Sequence, residues 1–225
     1  MSRKRLDQEL VRQGLVENRS HAQEMIKAGR VTVDGAPADK ASRMVAPSQS
    51  LQVAGDPPRY VSRGGLKLES ALEHFNLDVQ GLKAVDVGSS TGGFTDCLLQ
   101  NGASSVVALD VGRGQLHHRL LTDERVNVHE KTNIRYVDPT EIGAPFDLLV
   151  ADLSFISLTL ILINLLDLVN DGSSLLLLVK PQFEAGKRQV DEGKGVIKDP
   201  RIWSEVLNEI EMSVRANKAA IIEGM

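Results

Sequence analysis

Five short apolar runs set the tightest limit on how this chain can fold. They are Lys83–Val87, Val106–Asp110, Val126–His129, Phe146–Ala151 and Ser174–Val179, and the stretches between them space their apolar residues as helices do. Strands that are apolar on both faces and alternate with helices belong in a parallel sheet covered on both sides. The expected fold is therefore α/β, open and doubly wound, with ligands bound at the carboxyl ends of the strands. Groups able to do chemistry stand at those ends: Asp86 with Gly88, then Asp110, Glu130, Asp152 and Lys180. A helix is expected to start at Gly112-Arg113-Gly114, a long apolar one to run from Phe155 to about Val169, and a sixth strand to begin at Ala219-Ala220-Ile221-Ile222.

The first strand runs into Gly88-Ser89-Ser90-Thr91-Gly92-Gly93-Phe94 before Cys97, Leu98 and Leu99 resume helical spacing. Glycines let a backbone approach a ligand closely, and the helix that follows offers free N–H groups. The spacing is Gly-x-x-x-Gly-Gly and not the Gly-x-Gly-x-x-Gly of dinucleotide folds. Asp86 is a poor neighbour for a pyrophosphate and a good one for a cationic amino-acid group, which points to S-adenosylmethionine. Asp110, about 20 residues past the loop, suits the ribose hydroxyls of a bound nucleoside, and Glu130 suits its adenine. The expected cofactor-binding set is Asp86, Gly88, Ser89, Ser90, Thr91, Gly92, Gly93, Phe94, Asp110 and Glu130.

The remaining composition narrows the class. One cysteine, Cys97, excludes an internal disulfide framework. No signal-peptide core follows Met1-Ser2-Arg3-Lys4-Arg5, and Phe155–Val169 is too short and too polar for a membrane span, so a cytoplasmic protein away from membranes is expected. Net charge is −4, divided as +5 over residues 1–67 and −9 over residues 68–225. A basic front end on an acidic body suits a polyanionic partner.

That front end reads as two helices, residues 3–17 and His21–Ala28, the second capped by Ser20. Strands at Val31–Val33 and Ser50–Val53 follow, with a hairpin turn at Asp34-Gly35. Pro57-Pro58 marks a linker, and Ser62 is the expected cap of a helix bearing Lys67, Leu68, Ala71, Leu72 and Phe75. Arg5-Leu6-Asp7, Leu10, Arg19-Ser20, Ala22, Ile26, Gly29, Val31, Val33, Asp34-Gly35 and Lys40 together resemble the small RNA-binding domain first known from ribosomal protein S-four, although His21 and Ala41 replace its usual arginine and proline. The cations placed to meet RNA phosphates are Arg3, Lys4, Arg5, Arg12, Arg19, Lys27 and Arg30, contacts that supply affinity more than sequence reading.

The rest of the chain resembles the TlyA family of rRNA ribose methyltransferases, also called haemolysin-like. The resemblance rests on Val61-Ser62-Arg63-Gly64-Gly65-Leu66-Lys67-Leu68, Asp86 to Asp96, Ala108-Leu109-Asp110-Val111-Gly112-x-Gly114-Gln115-Leu116, Glu130-x-Thr132-Asn133-x-Arg135, Asp152-Leu153-Ser154-Phe155-Ile156-Ser157 and Lys180-Pro181-Gln182-Phe183-Glu184. It implies residues 1–56 as the RNA-binding domain, 57–62 as linker and 63–225 as a Rossmann-like methyltransferase domain of the FtsJ type lacking its final strands. It also implies 2′-O-methylation of ribose in ribosomal RNA, with S-adenosylmethionine as donor, ribosomal RNA or ribosomal subunits as partner, and no metal. Of the FtsJ-type Lys-Asp-Lys-Glu tetrad, Lys67, Asp152 and Lys180 carry over as catalytic residues, whereas the fourth acid is expected past residue 225 and Glu223 is not assigned to it. A lysine there either stabilises the forming alkoxide as an ammonium or, when neutral, takes the hydroxyl proton. Two alternatives are a membrane-active haemolysin and an RNA-binding protein with an inactive methyltransferase domain.

Overall fold

The computed structural model describes residues 3–16, 18–55, 58–185, 197–217 and 220–225. The chain divides into two compact units, Met1–Ser62 and Arg63–Met225.

The first unit contains β1 (Lys4–Arg5), α1 (Leu6–Arg12), α2 (Arg19–Lys27), β2 (Val31–Val33), β3 (Ala36–Pro37), β4 (Met44–Val45) and β5 (Leu51–Val53). Its first helix is shorter than the periodicity predicts. Lys4 and Arg5 are taken instead by antiparallel pairing with Val45 and Met44, and Gly14 turns the chain at φ +69°. Asn18, not Ser20, caps α2: its side chain accepts the His21 amide at 2.9 Å. That amide belongs to one of the first-turn donors a helix leaves unpaired. Asp34 and Gly35 both take positive φ, 52° and 80°, forming the tight turn between β2 and β3 as expected. Leu6, Leu10, Ala22, Ile26, Val31, Val33 and Val45 close the core.

Two carboxylates lie buried at the edge of that core. Asp7 accepts Arg5 Nε and Nη2, each at 3.0 Å, Arg19 Nη2 at 3.0 Å and Gln23 Nε2 at 3.4 Å. Glu9 accepts Arg12 Nε at 2.8 Å and Gln13 Nε2 at 3.0 Å. The guanidinium hydrogen bonds hold both acids below the ordinary carboxylate range, Glu9 at about 2.

The second unit carries α3 (Gly64–His74), β6 (Lys83–Val87), α4 (Gly93–Gln100), β7 (Ser105–Leu109), α5 (His118–Leu121), β8 (Val126–His129), β9 (Phe146–Ala151), α6 (Leu162–Leu166), β10 (Val169–Leu177), α7 (Pro181–Glu184) and α8 (Pro200–Asn217). The five strands form one sheet in the order β10-β9-β6-β7-β8, and every pairing is parallel. Phe146, Leu148, Leu149, Val150 and Ala151 of β9 are fully buried, as a central strand covered on both faces must be.

Four expectations need correction. The helix after Gly112 starts only at His118, because Gly112 to Gln115 wrap the end of β7. The long apolar helix is broken into a 3-10 turn, Leu158–Leu160, and the single turn and a half of α6. Its last part belongs to β10, whose pairing with β9 is interrupted between Val169 and Ser174. Arg63, not Ser62, stands at the N-cap of α3, and Ala220 to Ile222 form no strand, Ala220 and Ile222 packing on the core. Ala219 and most of the glycine-rich stretch after Glu184 lie outside the described residues.

The carboxylates of the first unit give a prediction with a definite sign. Their folded pKa values are lowered, so the stability they confer is present above the unfolded value and is lost as pH falls through about 4 towards 2. Removing one partner of a fully buried pair costs about 3–5 kcal/mol. The guanidiniums on Asp7 are 39% and 53% exposed and can rehydrate. Asp7→Ala should therefore cost about 2 kcal/mol in urea unfolding at pH 7, with a smaller loss at pH 2.5. An equal loss at both pH values would contradict the assignment.

Candidate active site

Strand register builds the site. In the paired strands Val87 stands opposite Ala151, and Ala151 opposite Leu177. The residues just beyond them therefore emerge at one edge of the sheet. Asp152 follows β9, its amide donating to the Val87 carbonyl at 3.3 Å, and Lys180 leads into α7 with Pro181 at the first helical position. Lys67 comes from the first turn of α3.

The three side chains meet. Lys67 Nζ donates to Asp152 Oδ2 at 3.2 Å, while Lys180 Nζ pairs with Asp152 Oδ1 and donates to Ser154 Oγ at 3.0 Å. One carboxylate thus holds two amines, one on each oxygen. Asp152 is 20% exposed, Lys180 18% and Lys67 52%, so the cluster opens to solvent from the Lys67 side. An exposed ion pair contributes little to stability; a solvent-facing cluster of two cations on one acid is better placed to act on a ligand.

The glycine turn lies against this cluster. A Cβ at Gly88 would stand 3.0 Å from the Asp152 carbonyl oxygen, and one at Gly92 would stand 2.2 Å from Leu120 Cδ1 and 2.8 Å from Leu116 Cδ1. The glycines at these two positions thus make room for the protein's own packing, besides supplying the positive φ of 87° and 93°. Ser89 is buried, Ser90 adopts φ 48°, Thr91 is exposed, and Gly93 and Phe94 are buried in the start of α4.

Asp86 is fully buried beneath the turn. Its Oδ2 accepts the Thr95 amide at 3.0 Å and the Thr95 hydroxyl at 2.7 Å, while Oδ1 has no hydrogen-bond partner among the described residues. Burial pushes its carboxyl up to about 7, against the two Thr95 bonds, and the charges of Asp152 and Asp110 push the same way. Asp110 gathers the neighbouring loop, accepting the Ser90 amide at 2.7 Å and the Gly112 amide at 2.6 Å. Glu130 accepts the Gly114 amide, and Gln115 approaches the Ser90 hydroxyl at 3.3 Å. Asp86, Asp110, Glu130 and the glycine turn thus form one cradle at the ends of β6, β7 and β8.

The fit of this cradle to a nucleoside bearing an amino-acid tail rests on its donor set. It offers an unpaired buried carboxylate oxygen, an acid at the second strand end and backbone N–H groups at the start of an eight-residue helix.

Sequence reasoning overlooked three residues: Thr95, Ser154 and Glu184. Thr95 lies one helical turn past the glycines, and Ser154 two residues past Asp152. Glu184 closes a quoted motif, yet its partners are 26 and 27 residues away in sequence. Only pairing of β9 with β10 brings them together.

The cations expected to meet RNA separate into two groups. Arg5, Arg12 and Arg19 hold the buried carboxylates, whereas Arg3, Lys4, Lys27 and Arg30 are exposed and make no ion pair among the described residues. No group of three metal-ligating side chains and no helix long and apolar enough to cross a membrane occurs among the described residues.

Comparison with known proteins places these features in a family. The model for FtsJ-like methyltransferases matches residues 60–218, and that for the S4 domain matches residues 4–51. The 16S/23S rRNA (cytidine-2′-O)-methyltransferase TlyA of Mycobacterium tuberculosis is 50% identical over 201 residues, 89% of this chain and 75% of that protein. YqxC of Bacillus subtilis is 46% identical over 225 residues, 99% of this chain and 79% of that protein. A solved structure from Streptococcus thermophilus, named for hemolysin, superposes with a TM-score of 0.72 at 42% identity, over 96% of this chain and 79% of its own.

The packing at Gly92 can be tested directly. Gly92→Ala adds a methyl against buried leucines and a left-handed backbone, so it should destabilise by about 2–4 kcal/mol. Gly114→Ala, at φ 65° with nothing within 4 Å of a new Cβ, should cost only the backbone strain of about 1 kcal/mol. Equal losses in thermal unfolding would show that the leucine contacts do not matter.

Proposed function

The chain belongs to the FtsJ-like methyltransferase family and carries an S4 domain, and on that premise we propose that it methylates a ribose 2′-hydroxyl of ribosomal RNA. The donor is S-adenosylmethionine. The observation that carries this reading is the single carboxylate, Asp152, shared by Lys67 and Lys180 beside the glycine turn.

Bound in the cradle, the donor supplies a methyl group that its sulfonium already makes electrophilic. Asp86 would hold the donor's ammonium and Asp110 its ribose hydroxyls, with Glu130 towards the base. A ribose hydroxyl is a weak nucleophile at neutral pH, so the protein must orient it and stabilise the oxygen as its proton passes to solvent water on the open Lys67 side. Two ammonium groups on one carboxylate leave a net positive charge at the mouth of the site, which stabilises that developing alkoxide. Asp152 keeps the two amines from separating. Arg3, Lys4, Lys27 and Arg30 supply RNA phosphate contacts, while Arg5, Arg12 and Arg19 chiefly hold the fold of their own unit together. This reading places the protein with the ribosomes, in the cytoplasm.

Incubating the protein with ribosomal subunits and labelled donor, then mapping ribose methyls by mass spectrometry, tests the activity. Lys180→Ala and Asp152→Ala should each lower single-turnover transfer at least 100-fold, the scale of losing a positioned proton-transfer or charge-stabilising group. Wild-type transfer by Lys180→Ala would remove that lysine from the mechanism.

Asp86 adds a pH dependence. Its raised value makes the carboxyl mostly neutral at pH 6 and mostly charged at pH 8. If only the charged form takes the donor's ammonium, apparent donor affinity should rise about tenfold across that interval, and Asp86→Asn should flatten the rise. Calorimetry showing the same slope in both proteins would move the ammonium elsewhere.

A further inference from the structure

We propose that Glu184 is a positioning residue for the transfer step, latching the segment after Asp152 to the helix after Lys180. The proposal rests on the methyltransferase reading above.

Two stretches run side by side from the sheet edge, residues 152–158 beyond β9 and residues 180–184 beyond β10. Cross-links join them along their length. At the sheet end, Lys180 pairs with Asp152 and donates to Ser154 Oγ. In the middle, the rings of Phe155 and Phe183 stand 5.0 Å apart. At the far end, Glu184 Oε2 accepts the Ser157 hydroxyl at 2.6 Å and Oε1 accepts the Leu158 amide at 2.9 Å.

Leu153, Ile156 and Leu158 pack on the core, and among the described residues the far link is the cross-link that also bonds the backbone of the first stretch. Phe155 sits at φ 65°, a region that bulky residues avoid, and its side chain is 91% exposed, so burial does not hold it there. Ser157 caps the 3-10 turn that starts at Leu158, and Glu184 takes both that capping hydroxyl and the first amide of the turn. Releasing Glu184 loosens the stretch that carries Ser154, one of the groups that Lys180 Nζ meets beside Asp152 and the Phe183 ring at 5.8 Å. The register of β9 and β10 would still bring Asp152 and Lys180 together, but the direction of the amine would no longer be fixed. Misplacement by about 1 Å can cost on the order of 100-fold in rate.

The test compares Glu184→Ala, Glu184→Gln and Ser157→Ala in the full chain, with two readouts. Hydrogen exchange at the Leu158 amide should quicken at least tenfold in Glu184→Ala. With ribosomal subunits, kcat should fall at least tenfold while donor affinity and KM for the subunits stay within twofold. Glu184→Gln keeps the acceptor for Leu158 and can bond Ser157 with the hydroxyl turned, so its kcat should stay within threefold of wild type. Ser157→Ala combined with Glu184→Ala should be no slower than Glu184→Ala alone, since both remove one link. Unchanged exchange at Leu158 overturns the latch, as does a wild-type kcat in Glu184→Ala or a loss shared equally by donor affinity. Fully additive losses in the double variant do the same. If the wild-type protein transfers no methyl group to ribosomal RNA, the functional reading fails while the exchange measurement still decides the latch, and Glu184→Asp, whose shorter side chain does not reach the Leu158 amide, gives that answer should Glu184→Ala not fold.

Discussion

The parallel pairing of β9 between β6 and β10 is the constraint on which everything at the site depends. Level strand ends bring the residues beyond each strand to a common edge: Gly88 just past Val87, Asp152 just past Ala151, and Lys180 three residues past Leu177. A slip of one residue would turn every side chain to the opposite face. It would carry Asp152 away from both lysines. Apart from the exposed Asp147 at its start, β9 is apolar and buried on both faces, which sets that register, so the chemistry of the site is held in place by residues that take no part in it.

The acids of this chain do different work because their surroundings differ. Asp7 and Glu9 are buried but surrounded by guanidiniums, which keep them ionised and turn them into structural anchors. Asp86 is buried with Thr95 as its hydrogen-bond partner and no cation beside it among the described residues, and desolvation raises its carboxyl to about 7. Asp152 is partly solvated and carries a lysine on each oxygen. Residue type alone distinguishes none of these roles. Burial and the nearest cation do.

The glycine turn shows where pattern and structure part. Its spacing marks a ligand loop, and the turn does sit at the sheet edge with Asp86 below and Asp110 beside it. At Gly88 and Gly92, however, the space a side chain would fill belongs to the Asp152 carbonyl and to Leu116 and Leu120. The basic front end parts in a similar way. Its charge is legible in composition, but three of the seven cations are committed to buried carboxylates, a commitment that depends on how α1 and α2 pack.

The sequence by itself determined the α/β architecture, four of the five strands to within a residue, and the placement of Asp86, Asp152 and Lys180 at strand ends, whereas Lys67 was marked only by the family resemblance. Apolar runs and strand-end residues are local signals, and burial on two faces leaves few alternatives for them. Tertiary structure alone decided the length of the helices after Gly112 and after Phe155, the partner of each arginine in the first unit, and the tie between Glu184 and Ser157. Those depend on competition for the same backbone groups, or on side chains far apart in the chain that meet only when neighbouring strands align.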